Sequence, residues 1–110
     1  MIWTMGEMLV EIMRPGAGVG LNELGDFLGP FPSGAPAIFI DTVTRLGHRA
    51  GIIGGVAEDD FSRCVLDRLS ADSVDVRYVK RIPYMATAVA FITYFDDGSR
   101  KYIFHFKGWQ

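Results

Sequence analysis

The stretch Arg49–Ala71, RAGIIGGVAEDDFSRCVLDRLSA, decides how the rest of the chain is read. Its first part, Arg49 to Val56, is a short apolar run ending on Gly54 and Gly55, the pattern of a strand buried in a parallel sheet. From about Asp59 to Ala71 the period changes. Phe61, Val65 and Leu69 share an inner helical face with Cys64, while Arg63, Asp67 and Arg68 fall outside it. A buried strand running straight into an amphipathic helix is the start of a βαβ unit.

Downstream, Val74 to Ile82 alternates as a half-exposed strand does. Upstream, Ala37 to Leu46 places Phe39, Val43 and Leu46 on one helical face, with Gly47 at the stop position, although Ala37 to Ile40 alone also fits a strand. Ile2 to Ile12 is apolar except at Thr4, Gly6, Glu7 and Glu11, and reads as one buried strand. Arg14 to Gly34, dense in Gly and Pro, reads as loop or irregular edge strand. Ala86 to Phe95 and Arg100 to Lys107 flank Asp96-Asp97-Gly98-Ser99, a hairpin signal. Alternation puts Ala88, Ala90, Ile92 and Tyr94 on one face of the first arm, and Tyr102, Phe104 and Phe106 on one face of the second. That aromatic face suits either a core or a ligand-covering lid.

The order strand, helix, strand, helix, strand, hairpin predicts an α/β fold with a mostly parallel sheet. Such a sheet needs helices on both faces, and two helices cannot supply them. The 110 residues, 49% hydrophobic, therefore read as a piece of a larger protein with surfaces awaiting a partner.

The net charge of −2 and the absence of a basic cluster argue against nucleic acid or an anionic membrane as a partner. The longest apolar stretch, Ala86 to Phe95, is too short to span a bilayer, and the N-terminus lacks a signal-peptide pattern, so a cytoplasmic chain is expected. One cysteine, Cys64, forms no internal disulfide and reads as a buried small hydrophobe. His48 and His105 lie in different elements and make no metal set with it.

Gly16-Ala17-Gly18-Val19-Gly20 lacks the third glycine of a dinucleotide loop, no GxxxxGK[ST] occurs, and a mobile surface loop is the expectation. Glu58-Asp59-Asp60 is explained by helix capping rather than by a metal. Ser33-Gly34-Ala35-Pro36-Ala37 is either a tight turn with proline starting a helix, or a place where a ligand meets free backbone N–H groups. Glu7 and Glu11, sharing a face of the first strand, are either solvated carboxylates or a handle for substrate hydroxyls.

Taken in order, several of these segments resemble the N-terminal part of a pfkB (ribokinase-like) carbohydrate kinase. They are Gly6-Glu7-Met8-Leu9-Val10-Glu11, Ser33 to Ala37, Thr44-Arg45-Leu46-Gly47, Ile53 to Phe61, and Thr87-Ala88-Val89-Ala90 before the hairpin. The resemblance implies a ribokinase-like core with a small β-sheet lid, its lid segments falling at about 12–34 and 82–107. It also implies ATP-dependent phosphorylation of a sugar hydroxyl, with Mg2+.

By that resemblance Glu11 falls at the acidic position that binds sugar hydroxyls, and Gly34 at the second glycine of a Gly-Gly motif against the sugar. Ala90, Phe104 and Phe106 fall on lid strands facing the substrate. Ser33 replaces the motif's first glycine and Ile38 its asparagine, a change that costs affinity or alters specificity. Members acting on 2-keto-3-deoxygluconate tend to carry tyrosine and arginine where this chain has Phe104 and Phe106, so an uncharged sugar suits it better.

The family's C-terminal Gly-Ala-Gly-Asp motif, which carries the catalytic base, does not occur in the sequence, and neither does the ATP site. The isolated chain is expected not to turn over. The competing expectation is a non-catalytic module that dimerises through its lid sheet.

Overall fold

The computed structural model describes residues 1–107, with side chains through His105. Among the described residues the order is β1 (Ile2–Met5), β2 (Leu9–Met13), β3 (Leu28–Ser33), α1 (Ala35–Arg45), β4 (Ala50–Ala57), α2 (Asp60–Ala71), β5 (Asp75–Ile82), β6 (Ala86–Tyr94) and β7 (Arg100–Lys107). They form a three-stranded sheet, β1-β4-β5, and a four-stranded sheet, β3-β2-β6-β7. The first sheet is parallel throughout, as the alternation of strands and helices requires. The second is mixed: β2 runs parallel to β6 but antiparallel to β3, and β6 and β7 form the hairpin.

The expected single strand over Ile2–Ile12 is two strands in different sheets. The chain leaves the first sheet at Gly6, whose N–H still donates to the Ile53 carbonyl at 3.3 Å, and enters the second at Leu9. Apolar patterning runs unbroken through the crossing because both segments are partly buried, so periodicity alone cannot show it. Glu7 and Glu11 consequently do not share a strand: Glu7 lies in the crossing and Glu11 in β2.

Both helices pack on one face of the parallel sheet. Ala37 and Ile40 of α1, Val65 and Leu69 of α2, and Ile52 and Val56 of β4 belong to one buried cluster. Crossovers of one hand that advance across a sheet in one direction place their helices on the same side. Val10 of β2, fully buried, joins this cluster, and Val89 of β6 packs against it. One face of the second sheet therefore turns towards the core.

Local chemistry explains the element ends. Helix α1 starts two residues earlier than its apolar pattern, because Pro36 is accommodated in the first turn. It stops at Gly47 (φ 97°), where the Gly47 and His48 N–H groups close onto Thr44 and Val43 carbonyls. Helix α2 starts on a capping box, with the Ser62 N–H donating to Asp59 Oδ1 at 2.8 Å. Cys64 is half-buried rather than buried, with Sγ 3.6 Å from the Pro30 carbonyl, and the neighbouring Ser62 takes the interior position. The tail of the Gly/Pro-rich segment becomes β3, with Pro30 and Pro32 tolerated because it is an edge strand.

Candidate functional site

Strand register assembles the site. Glu11 on β2 lies opposite Phe31 on β3 and, on its other side, opposite Ala90 on β6. Ala90 in turn lies opposite Phe104 on β7. Directly opposed residues project to the same side of a sheet, so Phe31, Glu11, Ala90 and Phe104 form one transverse row. This row faces away from the core cluster, because the adjacent Val10 and Val89 face towards it. Phe31 and Phe104 stand on the two edge strands, 42% and 51% exposed, with half-buried Glu11 and the small Ala90 between them. Tyr102 and Phe104 of β7 are thus not core: they stack on each other, ring centroids 5.4 Å apart, at the rim. The side chain of Phe106, expected on the same face, lies outside the described residues.

Glu11 is held from the side. The Ser33 hydroxyl donates to Glu11 Oε1 at 2.8 Å, and Ser33 itself is 4% exposed. Gly34 follows, at φ 101°, as the N-cap of α1. A Cβ there would stand 3.0 Å from the Glu7 carbonyl oxygen and 3.4 Å from the Leu9 nitrogen. Glycine is needed for both the dihedral and the approach of this backbone to the crossing between β1 and β2. Ile38, one turn into α1, is exposed and lines a separate groove of about 250 Å3 with Phe31, Pro32 and Asp41. Phe31 links that groove to the row; no hydrogen bond joins Ile38 to Glu11.

Beside Ile38, burial pushes the Asp41 carboxyl above the ordinary carboxylate value, helped by the hydrogen bond to Asp72 and its charge. Asp72 is held low, first by its hydrogen bond from Arg68 and then by that from Asp41.

A cavity of about 820 Å3 lies elsewhere, lined by Asp59, Asp60, Phe61, Ala86, Thr87, Val89 and His105. Val89 and His105 belong to the opposite face of the second sheet from Glu11. At its wall, Asp59 accepts from the Thr87 N–H at 2.8 Å and the Thr87 hydroxyl at 2.5 Å. Burial pushes Asp59 upward, but these bonds and the Ser62 and Phe61 N–H groups outweigh it and hold the carboxyl below its ordinary value. The acidic run at the start of α2 therefore caps the helix and ties it to β6.

Residues 14–27 are also better held than a mobile loop. The Arg14 guanidinium, 4% exposed, donates to the carbonyls of Asp26 (3.0 Å), Gly20 (3.1 Å) and Glu23, and sits 3.9 Å from the Phe27 ring centre. Sequence reasoning missed Arg14, Phe31 and the Asp59–Thr87 tie. Only the alternation back from Ser33 to Phe31 was available as a signal, and it was masked by the surrounding prolines.

No family model matches the sequence. Curated relatives do, among them Fructokinase-1 of Zea mays, 36% identical over 105 residues, and Fructokinase-2 of Solanum habrochaites, 34% identical over 105 residues. Each alignment covers 96% of this chain and 32% of the relative. The E. coli protein solved without ligand under the name Ribokinase II superposes with TM-score 0.91 at 49% identity, over 94% of this chain and 33% of that one. The chain is similar to the pfkB (ribokinase-like) carbohydrate kinases. It matches their N-terminal portion and spans about a third of the length of the relatives it matches.

The same E. coli protein has been solved with ATP and Mg2+, and a fructokinase of Xylella fastidiosa, 28% identical with TM-score 0.79 over 94% of this chain and 31% of that one, shares the pfkB fold. No three His, Cys, Asp or Glu side chains group to hold a metal ion among the described residues. No described helix is long and apolar enough to cross a membrane.

Proposed function

We propose that this chain is the sugar-binding and lid portion of an ATP-dependent carbohydrate kinase. The observation that carries the reading is the row Phe31–Glu11–Ala90–Phe104 beside Gly34, on the face of the second sheet turned from the core. In this reading a sugar lies across the row. Glu11 accepts hydrogen bonds from its hydroxyls, with buried Ala90 beneath and the Phe31 and Phe104 rings at the two ends of the row. Gly34 follows Ser33 directly and brings the start of α1 to the same end of the sheet as Glu11. Closing an apolar-walled sheet over the ring excludes water and orients the acceptor hydroxyl. Ile38 offers no hydrogen bond, so a hydroxyl at its side of the sugar goes unpartnered, which lowers affinity or shifts specificity.

Phosphoryl transfer needs a positioned base and charge stabilisation at the transferring group. The chain's residues supply the acceptor side only, so the isolated chain binds sugar without turning it over. Titration calorimetry with neutral sugars, and a coupled assay with ATP and Mg2+, test this. Binding that Glu11→Ala weakens by tenfold or more (about 1.4 kcal/mol), with no product formed, is expected. Product formed by the chain alone, or sugar binding indifferent to Glu11, would overturn it.

A second reading, a module dimerising through the lid, draws on the exposed Tyr102, Ile103 and Phe104 of edge strand β7. It gains if no sugar binds and sedimentation shows a dimer that charge substitutions at Ile103 dissociate.

A further inference from the structure

Glu11 occupies an unusual position for a carboxylate. It is half-buried between Phe31 and Ala90, and no Lys or Arg pairs with it among the described residues. Its one described hydrogen bond comes from Ser33. Ser33 sits opposite Leu9, two residues along β3 from Phe31 on the same face of the sheet, so its hydroxyl reaches Glu11 diagonally across the β2–β3 ladder. The bond engages Oε1 and leaves Oε2 with no protein donor among the described residues. A carboxylate has about four acceptor sites, and a hydroxyl donor fills only one of them.

We propose that Ser33 is a positioning residue for Glu11. It clamps the carboxylate against β3 in one rotamer and directs the site to neutral polyols. This rests on the sugar-binding reading above. The clamp brings no positive charge to the site, so the remaining acceptor capacity is satisfied by ligand hydroxyls, whereas a sugar acid or sugar phosphate meets an unneutralised carboxylate. A serine here does what a glycine cannot: it spends one acceptor site on orientation. A flexible glutamate pays rotamer entropy when it binds a hydroxyl, and one already held pays less.

The test is calorimetry on the 110-residue chain with D-fructose, D-ribose and D-gluconate, for wild type, Ser33→Ala, Ser33→Thr, Glu11→Gln and the double variant Ser33→Ala/Glu11→Gln. Circular dichroism checks each fold. Expected results are binding of a neutral sugar but not of gluconate, and a loss of roughly three- to tenfold in Ser33→Ala. Ser33→Thr, which keeps the hydroxyl, restores it. In the Glu11→Gln background Ser33→Ala costs less than it does alone, because the hydroxyl acts through the carboxylate. The Glu11 Cδ resonance shifts in Ser33→Ala and returns in Ser33→Thr. If Glu11→Gln binds as wild type, or no sugar binds, the sugar-binding reading itself fails and this inference with it. If Glu11→Gln weakens binding while Ser33→Ala does not, or if the Ser33 effect is as large without Glu11, the positioning role alone is overturned. Gluconate binding as tightly as fructose overturns the selectivity.

Discussion

Asp59 shows how much one side chain does here. Its carboxylate accepts from Ser62 at the start of α2 and from both the N–H and hydroxyl of Thr87 at the start of β6, 28 residues away. It therefore caps a helix and ties the second sheet to the first layer. Asp59→Ala removes the cap and orphans two donors, and should cost about 2–3 kcal/mol by urea denaturation. Its pH dependence follows from the depressed carboxyl. The folded value lies below the ordinary 3.8, so this stability is fully present above 3.8 and is lost as pH falls through the lower folded value. Wild type and Asp59→Ala should converge in stability in strong acid, and an unchanged gap there would count against the tie. Gly34 is the other sensitive residue. Gly34→Ala combines a φ of 101° with a 3.0 Å approach to the Glu7 carbonyl, and should lose about 1–3 kcal/mol, read as a lower melting midpoint.

Among elements, the segment 14–27 has little secondary structure yet is organised around one buried guanidinium. Arg14 gathers three carbonyls of its own loop, and the Thr93 hydroxyl pins the Val19 carbonyl at 2.6 Å from β6. Arg14→Ala should open this loop to limited proteolysis between residues 15 and 27, with about 2–4 kcal/mol lost. Arg14→Lys should rescue it poorly, because an ammonium lacks the planar fork that spans separated acceptors. Loop cleavage no faster than wild type would show that Arg14 is not its organiser. The βα units and hairpin were legible in the sequence because each is set by local periodicity and turn chemistry. Asp97 accepting from the Ser99 N–H and hydroxyl is that turn chemistry realised. The break at Gly6 was not legible, since a strand that changes sheets keeps its apolar pattern.

At the scale of the whole molecule, the parallel sheet is covered on one side only. Trp3, Met5, Ile53 and Tyr78 lie on the side away from the helices, 37%, 73%, 38% and 56% exposed, with the Trp3 and Tyr78 rings 5.5 Å apart. Parallel sheets are normally buried on both faces, and the matched relatives are about three times as long. The chain alone should bind a hydrophobic dye and self-associate at micromolar concentration. Met5→Lys with Ile53→Glu should suppress both without loss of helical signal. A monodisperse wild-type chain with no dye binding would contradict this.

The residues by themselves determined the α/β class, both helices, the hairpin and the resemblance that singled out Glu11 and Gly34, because these depend on neighbours a few positions apart. Only the tertiary structure decided which residues meet Glu11. Ser33 reaches it across 22 positions of chain, and Phe31 and Phe104 flank it only through the register of three strand pairs. A shift of one residue in any of those ladders would turn the row to the core, and register is set by packing of the whole sheet rather than by any segment within it.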